Sequence, residues 1–189
     1  MSSEAPSTPH ESLEIITRMI KQAQGNVKKS SFHFLLWGWV VVIANLGMFA
    51  LTQLDYSRPY LIWLICIPAW ITSMFYGYKG SREKRVMTYI DRSIMWLWIG
   101  FGISVFTIVF FGYTIQFNLN PVILLMSALP TLVSGVIIRF RPLIIGGVMF
   151  WLFGIMCFLI TPQYQTLVGA VAVAIGYLVP GYLLKSKKD

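Results

Sequence analysis

Residues 32–54 read FHFLLWGWVVVIANLGMFALTQL, a stretch without Asp, Glu, Lys or Arg. A helix that crosses a hydrocarbon layer of about 30 Å needs roughly 20 mostly apolar residues. Runs such as Val40–Ile43 are apolar on every face, whereas a strand of a membrane barrel alternates apolar and polar residues. Because lipid offers no partner for a free backbone N–H or C=O, this stretch predicts a transmembrane α-helix.

The rest of the chain has the same character. Of its 189 residues 57% are hydrophobic and 12% are charged, about half the charged fraction of roughly 25% in a soluble domain. Charged residues lie between the apolar stretches, which predicts an all-α bundle of six spans at about 32–54, 59–78, 94–117, 121–138, 142–160 and 167–184. The predicted transmembrane domain is therefore 32–184, with a cytoplasmic tail and helix at 1–31 and a basic tail at 185–189.

The distribution of Lys and Arg predicts the orientation. With these spans, 14 of the 15 basic residues fall on one side and Arg58 alone falls on the other. Basic short loops stay cytoplasmic, so we expect both termini there. The net charge of +8 then indicates attraction to anionic headgroups and not nucleic-acid binding. The expected lipid contacts are Lys28, Lys29, Arg82, Lys84 and Arg85. Aromatic residues near the predicted span ends, Trp98 among them, are typical of an interfacial belt.

The N-terminal segment has the pattern of an amphipathic helix. Thr8, Pro9 and Glu11 form a capping box with proline at the first helical position, and we expect the helix to end around Gly25-Asn26. Its apolar stripe is a candidate interface with the membrane or a partner. The stripe consists of Leu13, Ile16, Met19 and Ile20. It fits a helix in the interface plane, a helix packed on the cytoplasmic ends of the bundle, or a helix docked in a groove of a partner protein.

A weak internal repeat has an offset of 62 residues. Pro59 matches Pro121 and Pro68 matches Pro130, which predicts two helix hairpins that each open on one proline and kink at another. Further pairs are Ser31 with Ser93, Gly38 with Gly100, Phe49 with Phe111, Thr52 with Thr114, and Lys79 with Arg141. The repeat indicates either a pseudo-symmetric transport core, a duplicated hairpin without a path, or shared apolar composition.

The chemistry of the spans excludes several classes of protein. No Asp, Glu, Lys, Arg or His lies deep in a predicted span, which argues against a proton relay, a carboxylate cation site and zinc proteolysis. No phosphate-loop, zinc-protease or nucleophile-elbow motif occurs, so we predict no enzyme, no cofactor and no metal site. The neutral polar residues that remain are candidates for helix contacts or for a small-solute path. They are Asn45, Thr107, Thr131 and Ser134.

The segments Glu11-Ser-Leu-Glu-Ile-Ile…Met19-Ile and Ser31-Phe-His-Phe-Leu-Leu-Trp-Gly-Trp39 resemble a group of small bacterial inner-membrane proteins of unknown function. The resemblance implies six spans and no known activity. Besides the lipid bilayer, the expected partners are a protein partner or a second copy of the chain. Two functions are consistent with the sequence. The first function is a regulatory or accessory membrane component that uses its N-terminal helix. The second is a small carrier or channel for a neutral or lipid-like solute.

Overall fold

The computed structural model describes residues 9–82, 89–115 and 118–186, and the side chains of 31–76, 92–112, 114 and 118–186. Within these ranges the chain is helical and holds no strand. The α-helices are α1 (Pro9–Gln53), α2 (Cys66–Arg82), α3 (Tyr89–Phe110), α4 (Leu119–Ile137), α5 (Arg141–Phe158), α6 (Pro162–Val173) and α7 (Val179–Ser186). Short 3₁₀ segments, Pro59–Ile65 and Gly112–Ile115, and one π-helical turn, Ala174–Leu178, complete the described elements.

Six helical stretches in the described part of the chain are long and apolar enough to cross a membrane. They run Ser31–Gln53, Pro59–Tyr76, Arg92–Phe110, Leu119–Ile137, Arg141–Phe158 and Pro162–Ser186. The predicted all-helical chain with six apolar stretches is confirmed, with bounds that differ by up to seven residues: the predicted third span runs to 117, whereas the third stretch ends at Phe110. The sixth stretch is composite, because α6, the π-helical turn and α7 follow one another without a break.

The six stretches differ sharply in how much protein surrounds them. Half of the sixth and 44% of the fourth are buried, against 6% of the second and none of the third. The core therefore forms among α1, α4, α5 and the composite sixth stretch, around side chains such as Leu143, Phe150 and Cys157. Helices α2 and α3 lie at its edge, with faces that lipid would cover.

Helix α1 continues through the predicted boundary at Gly25-Asn26, so the prediction of a helix end there is wrong. A glycine inside a helix costs only about 1 kcal/mol, and a helix already formed on both sides propagates through it. Thr8 and the loop residues Lys84 and Arg85 lie outside the described residues. The side chains of the apolar stripe, Lys28, Lys29 and Arg82 lie outside the described side chains.

The matched prolines of the repeat do not have matched roles. Pro59 opens a 3₁₀ segment, and Pro68 lies just after that segment changes to α2. Pro121 lies in the first turn of α4, and Pro130 lies inside that helix. A proline donates no hydrogen bond to the carbonyl four residues earlier and its ring crowds that carbonyl, so the irregular 3₁₀ geometry falls on the turn before Pro68.

Helices α4 and α5 form an antiparallel hairpin whose backbones approach closely at glycines. A Cβ on Gly135 would lie 2.7 Å from the amide nitrogen of Ile144, and one on Gly147 would lie 2.8 Å from that of Leu132. Small residues allow such approach in membranes, where apolar burial alone does not favour helix association. The α4–α5 hairpin is thus stabilised by close backbone packing at positions that have no room for a side chain.

We predict that Gly147→Ala lowers the stability of the bundle by about 1–3 kcal/mol, because overpacking forces two backbones apart. Gly100→Ala is the matched control, since a Cβ at Gly100 meets nothing within 4 Å. Alanine there should be neutral or stabilising by up to about 1 kcal/mol. Thermal unfolding of both purified variants in one detergent measures the difference, and equal melting temperatures would contradict the packing described here.

Candidate functional site

A row of hydroxyl groups lies on one buried face of α4. Ser127, Thr131 and Ser134 follow one another at helical spacing, and each is at most 5% exposed. Thr131 donates to the carbonyl oxygen of Ser127 at 2.6 Å, and Ser127 donates to that of Leu124 at 2.8 Å. Hydroxyl groups in helices commonly donate to a carbonyl oxygen of their own helix in this way. Their oxygen lone pairs then remain available to accept hydrogen bonds from neighbouring helices.

Two aromatic side chains from other helices complete this row. The hydroxyl oxygens of Thr131 and Tyr177 lie 3.3 Å apart, and the indole Nε1 of Trp98 donates to Ser134 Oγ at 3.2 Å. The ring centroids of Trp98 and Tyr177 are 6.2 Å apart. We call Trp98, Ser127, Thr131, Ser134 and Tyr177 the polar cluster, since together they link α3, α4 and the sixth stretch.

Tyr177 reaches the polar cluster from the π-helical turn. Pro180 has no N–H to donate to the carbonyl of Gly176, and a wider turn at Ala174–Leu178 removes the clash with the proline ring. Gly176 also lies directly over Phe150, where a Cβ would be 2.5 Å from the ring atom Cζ. π-Helical turns often occur at functional sites. Here the turn places a buried phenol in the middle of the core.

Asn45 occupies a second buried polar position, on α1. Its side chain is 2% exposed, and Nδ2 donates to the carbonyl oxygen of Val41 at 2.9 Å. Its Oδ1 is buried without a hydrogen-bond partner and faces Gly169 of α6, where a Cβ would lie 2.9 Å away. An unpaired buried acceptor costs roughly 1–3 kcal/mol, so Asn45 is held at the expense of stability.

The structure brings together two of the four candidate polar residues. Thr131 and Ser134 belong to the polar cluster, whereas Asn45 contacts Gly169 separately. Thr107 lies on an exposed face of α3 and donates to the carbonyl oxygen of its own Ile103 at 2.9 Å. The arrangement is that of helix contacts, with Thr107 outside it.

Sequence reasoning missed Tyr177 and gave Trp98 a different role. Trp98 is only partly exposed and bonds Ser134, so it is a helix contact and not simply a member of the interfacial belt. The signal for Tyr177 is its position: a phenol ten residues inside an apolar span must find a hydrogen-bond partner. No comparable signal identifies the partner as Thr131.

Further side-chain bonds close the ends of the bundle. Ser31 on α1 donates to the carbonyl oxygen of Gly181 at 3.0 Å, and Gln165 Nε2 donates to that of Cys157 at 2.9 Å. Among the residues that the structure describes, no three His, Cys, Asp or Glu side chains come together as a metal site. The Ser31 and Gln165 side chains thus connect α1 with α7 and α5 with α6.

Comparison of the chain with protein-family models, with curated proteins and with solved structures finds no match in any of the three.

We predict an energetic coupling between Asn45 and Gly169. Gly169→Ala should lower the stability by about 1–3 kcal/mol, because its methyl group must displace the Asn45 amide. In an Asn45→Ala background the same substitution should cost at least about 1 kcal/mol less, since contacting residues are not additive. Unfolding of the wild type, both single variants and the double variant in detergent gives the coupling, and additive effects would disprove the contact.

Proposed function

We propose that this chain is a non-enzymatic regulatory or accessory protein of the bacterial inner membrane. It acts through residues 9–30, the part of α1 that precedes the first apolar stretch, and we call this segment the arm. The observation that carries the proposal is the continuity of α1, which joins the arm and the first span in a single helix of 45 residues.

The length of α1 supports an arm that projects from the membrane. At 1.5 Å per residue its 45 residues extend about 67 Å, roughly twice the 30 Å of a hydrocarbon layer. The 22 residues of the arm account for about 33 Å of that. A movement or load at the tip would be passed directly to the first span, because no loop separates the two.

Helix continuity also favours one of the three arrangements open to the arm. A helix that turns to lie in the interface plane, or to pack over the cytoplasmic ends of the bundle, must break or kink sharply where it leaves the first span. Residues 9–53 are helical without interruption. The apolar stripe of Leu13, Ile16, Met19 and Ile20 then fits a groove of a partner protein, in the manner of helix-in-groove recognition.

The charge distribution gives the proposed location of the arm. With 14 of 15 basic residues on one side of the six stretches, the arm and the C-terminus belong in the cytoplasm. Lys28, Lys29, Arg82, Lys84 and Arg85 would meet anionic headgroups at that surface. The buried hydroxyls of the core bond other parts of the protein, which suits a rigid scaffold for the arm.

Partner capture from native membranes is the experiment for this proposal. A tagged chain with Leu13, Ile16 and Ile20 changed to Gln should lose a copurifying protein that the wild type retains, because the apolar anchors are gone. The matched control changes Glu14, Arg18 and Lys21 to Gln on the polar side of the same helix. The Asn26→Pro variant should keep the partner, because the apolar stripe is unchanged, although proline breaks or kinks α1 between the arm and the first span.

Two results would overturn the accessory function. One is a wild-type chain that purifies alone or as a homo-oligomer. The other is a partner that is retained both by the Leu13, Ile16 and Ile20 variant and by a chain from which residues 1–24 have been deleted. Insertion of each variant into the membrane is checked by alkali-resistant pelleting. This distinguishes loss of partner binding from failure of the variant to insert.

A carrier or channel for a neutral or lipid-like solute is the second candidate. The observation that favours it is the unpaired Oδ1 of Asn45 in the core, together with the π-helical turn at Tyr177 and the hairpin repeat at an offset of 62 residues. An acceptor kept without a partner against its cost suits a group that a passing solute could bond.

If solute passes Asn45, reconstituted liposomes should show flux of a neutral solute above empty vesicles, and Asn45→Ala or Thr131→Ala should reduce it several-fold. Thr107→Ala is the matched control, since Thr107 lies on an exposed face and bonds its own helix. Flux at the level of empty vesicles across a panel of polyols, amides and short-chain lipids would exclude the carrier function.

A further inference from the structure

An open cavity of about 550 Å³ lies where the α4–α5 turn meets the end of α7. Its lining divides into a charged and polar half and an apolar half. The residues are Arg139, Arg141 and Ser186 on the first and Phe140, Pro142 and Leu183 on the second. We refer to this cavity as the arginine pocket.

The backbone places the two arginines by a specific turn. Arg139 N–H bonds the carbonyl of Val136 at 3.1 Å and Phe140 N–H bonds that of Gly135 at 2.9 Å, which is the Schellman pattern at a helix end. Arg139 holds the left-handed position of that motif, with φ of 53°, where glycine is usual. A large side chain is uncommon in that conformation, and strained backbone tends to occur where function requires it.

The charge of the arginine pocket is not balanced within the elements that form it. From Arg92 to Lys188 the sequence contains no Asp or Glu. Arg139 and Arg141 are both exposed, and Lys185 stands beside Ser186 in the last turn of α7. Arg141 also begins α5, whose N-terminal end carries the positive end of the helix dipole. The pocket therefore favours an anion.

We propose that the arginine pocket binds the phosphate of an anionic phospholipid, with Arg139 and Arg141 on the phosphate oxygens and Ser186 as a further donor. The planar fork of arginine suits phosphate geometry. The apolar half of the lining decides between a lipid and a soluble phosphate: exposed Leu183 and half-buried Pro142, with Phe140 buried behind them, offer surface to a glycerol backbone and the start of an acyl chain. Basic pockets between helix ends bind headgroups in this manner.

The experiment uses the full chain in nanodiscs that contain equal parts of phosphatidylglycerol and phosphatidylcholine, with lipid retained on the protein measured by native mass spectrometry. The wild type should retain phosphatidylglycerol preferentially. In the double variant Arg139→Asn with Arg141→Gln this preference should fall about 25-fold, since each arginine near a headgroup contributes about fivefold. Asparagine is chosen at 139 because it tolerates the left-handed conformation.

Two further variants separate binding from general charge and from folding. Arg58→Gln removes a basic residue that precedes Pro59, outside the arginine pocket, and should leave the preference unchanged. Arg141→Gln alone should lower it about fivefold and decides the outcome if the double variant is misfolded by circular dichroism and gel filtration. Both faces are accessible in a nanodisc, so the result is independent of membrane orientation.

The proposal is overturned if Arg141→Gln and a folded double variant retain phosphatidylglycerol as the wild type does. In that case the arginines only complement helix ends and set topology. It is overturned equally if inorganic phosphate binds in phosphatidylcholine nanodiscs in an arginine-dependent way while phosphatidylglycerol shows no preference, since the pocket would then serve a soluble phosphate.

Discussion

The structure depends on close approach of helix backbones at small residues. Helices in lipid gain little from burying apolar side chains against one another, because the acyl chains are equally apolar. Contact at Gly135 and Gly147, and between Gly146 and Gly176, supplies dense packing that lipid cannot provide. Where such residues face a neighbour a core forms, and α3, with Gly100 open to its surroundings, stays at the edge.

Prolines and polar groups adjust this packing at a few positions. Pro180 lies just after the π-helical turn, and that turn sets the position of Tyr177. The Tyr177 hydroxyl in turn contacts the Thr131 hydroxyl across the core. A single missing N–H thus determines where a buried phenol lies. Among the described side chains Asn45 and Asn118 are the exceptions, because each has a buried Oδ1 without a hydrogen-bond partner, and that of Asn45 lies against Gly169.

The proposed functions use different parts of the molecule. The arm is the N-terminal part of the uninterrupted helix α1. The polar cluster lies within the helix bundle, and the arginine pocket lies at the ends of α4 and α7. A rigid arm can transmit force only if the bundle holds the first span in place. Two contacts hold the first span near its junction with the arm, that of Ser31 with Gly181 and that of Gly38 with Leu178.

The sequence by itself determined the helical class and the six apolar stretches, because the length of a hydrocarbon layer and the need to pair every backbone group act on each segment alone. It could also single out Thr131 and Ser134 as polar groups that need partners. The passage of α1 through Gly25 is also a local matter, since one glycine costs a helix only about 1 kcal/mol. Tertiary structure alone decided that Trp98 and Tyr177 are those partners, and that α2 and α3 lie at the edge of the core. These outcomes depend on which helices touch, and apolar faces of similar composition do not encode that choice locally.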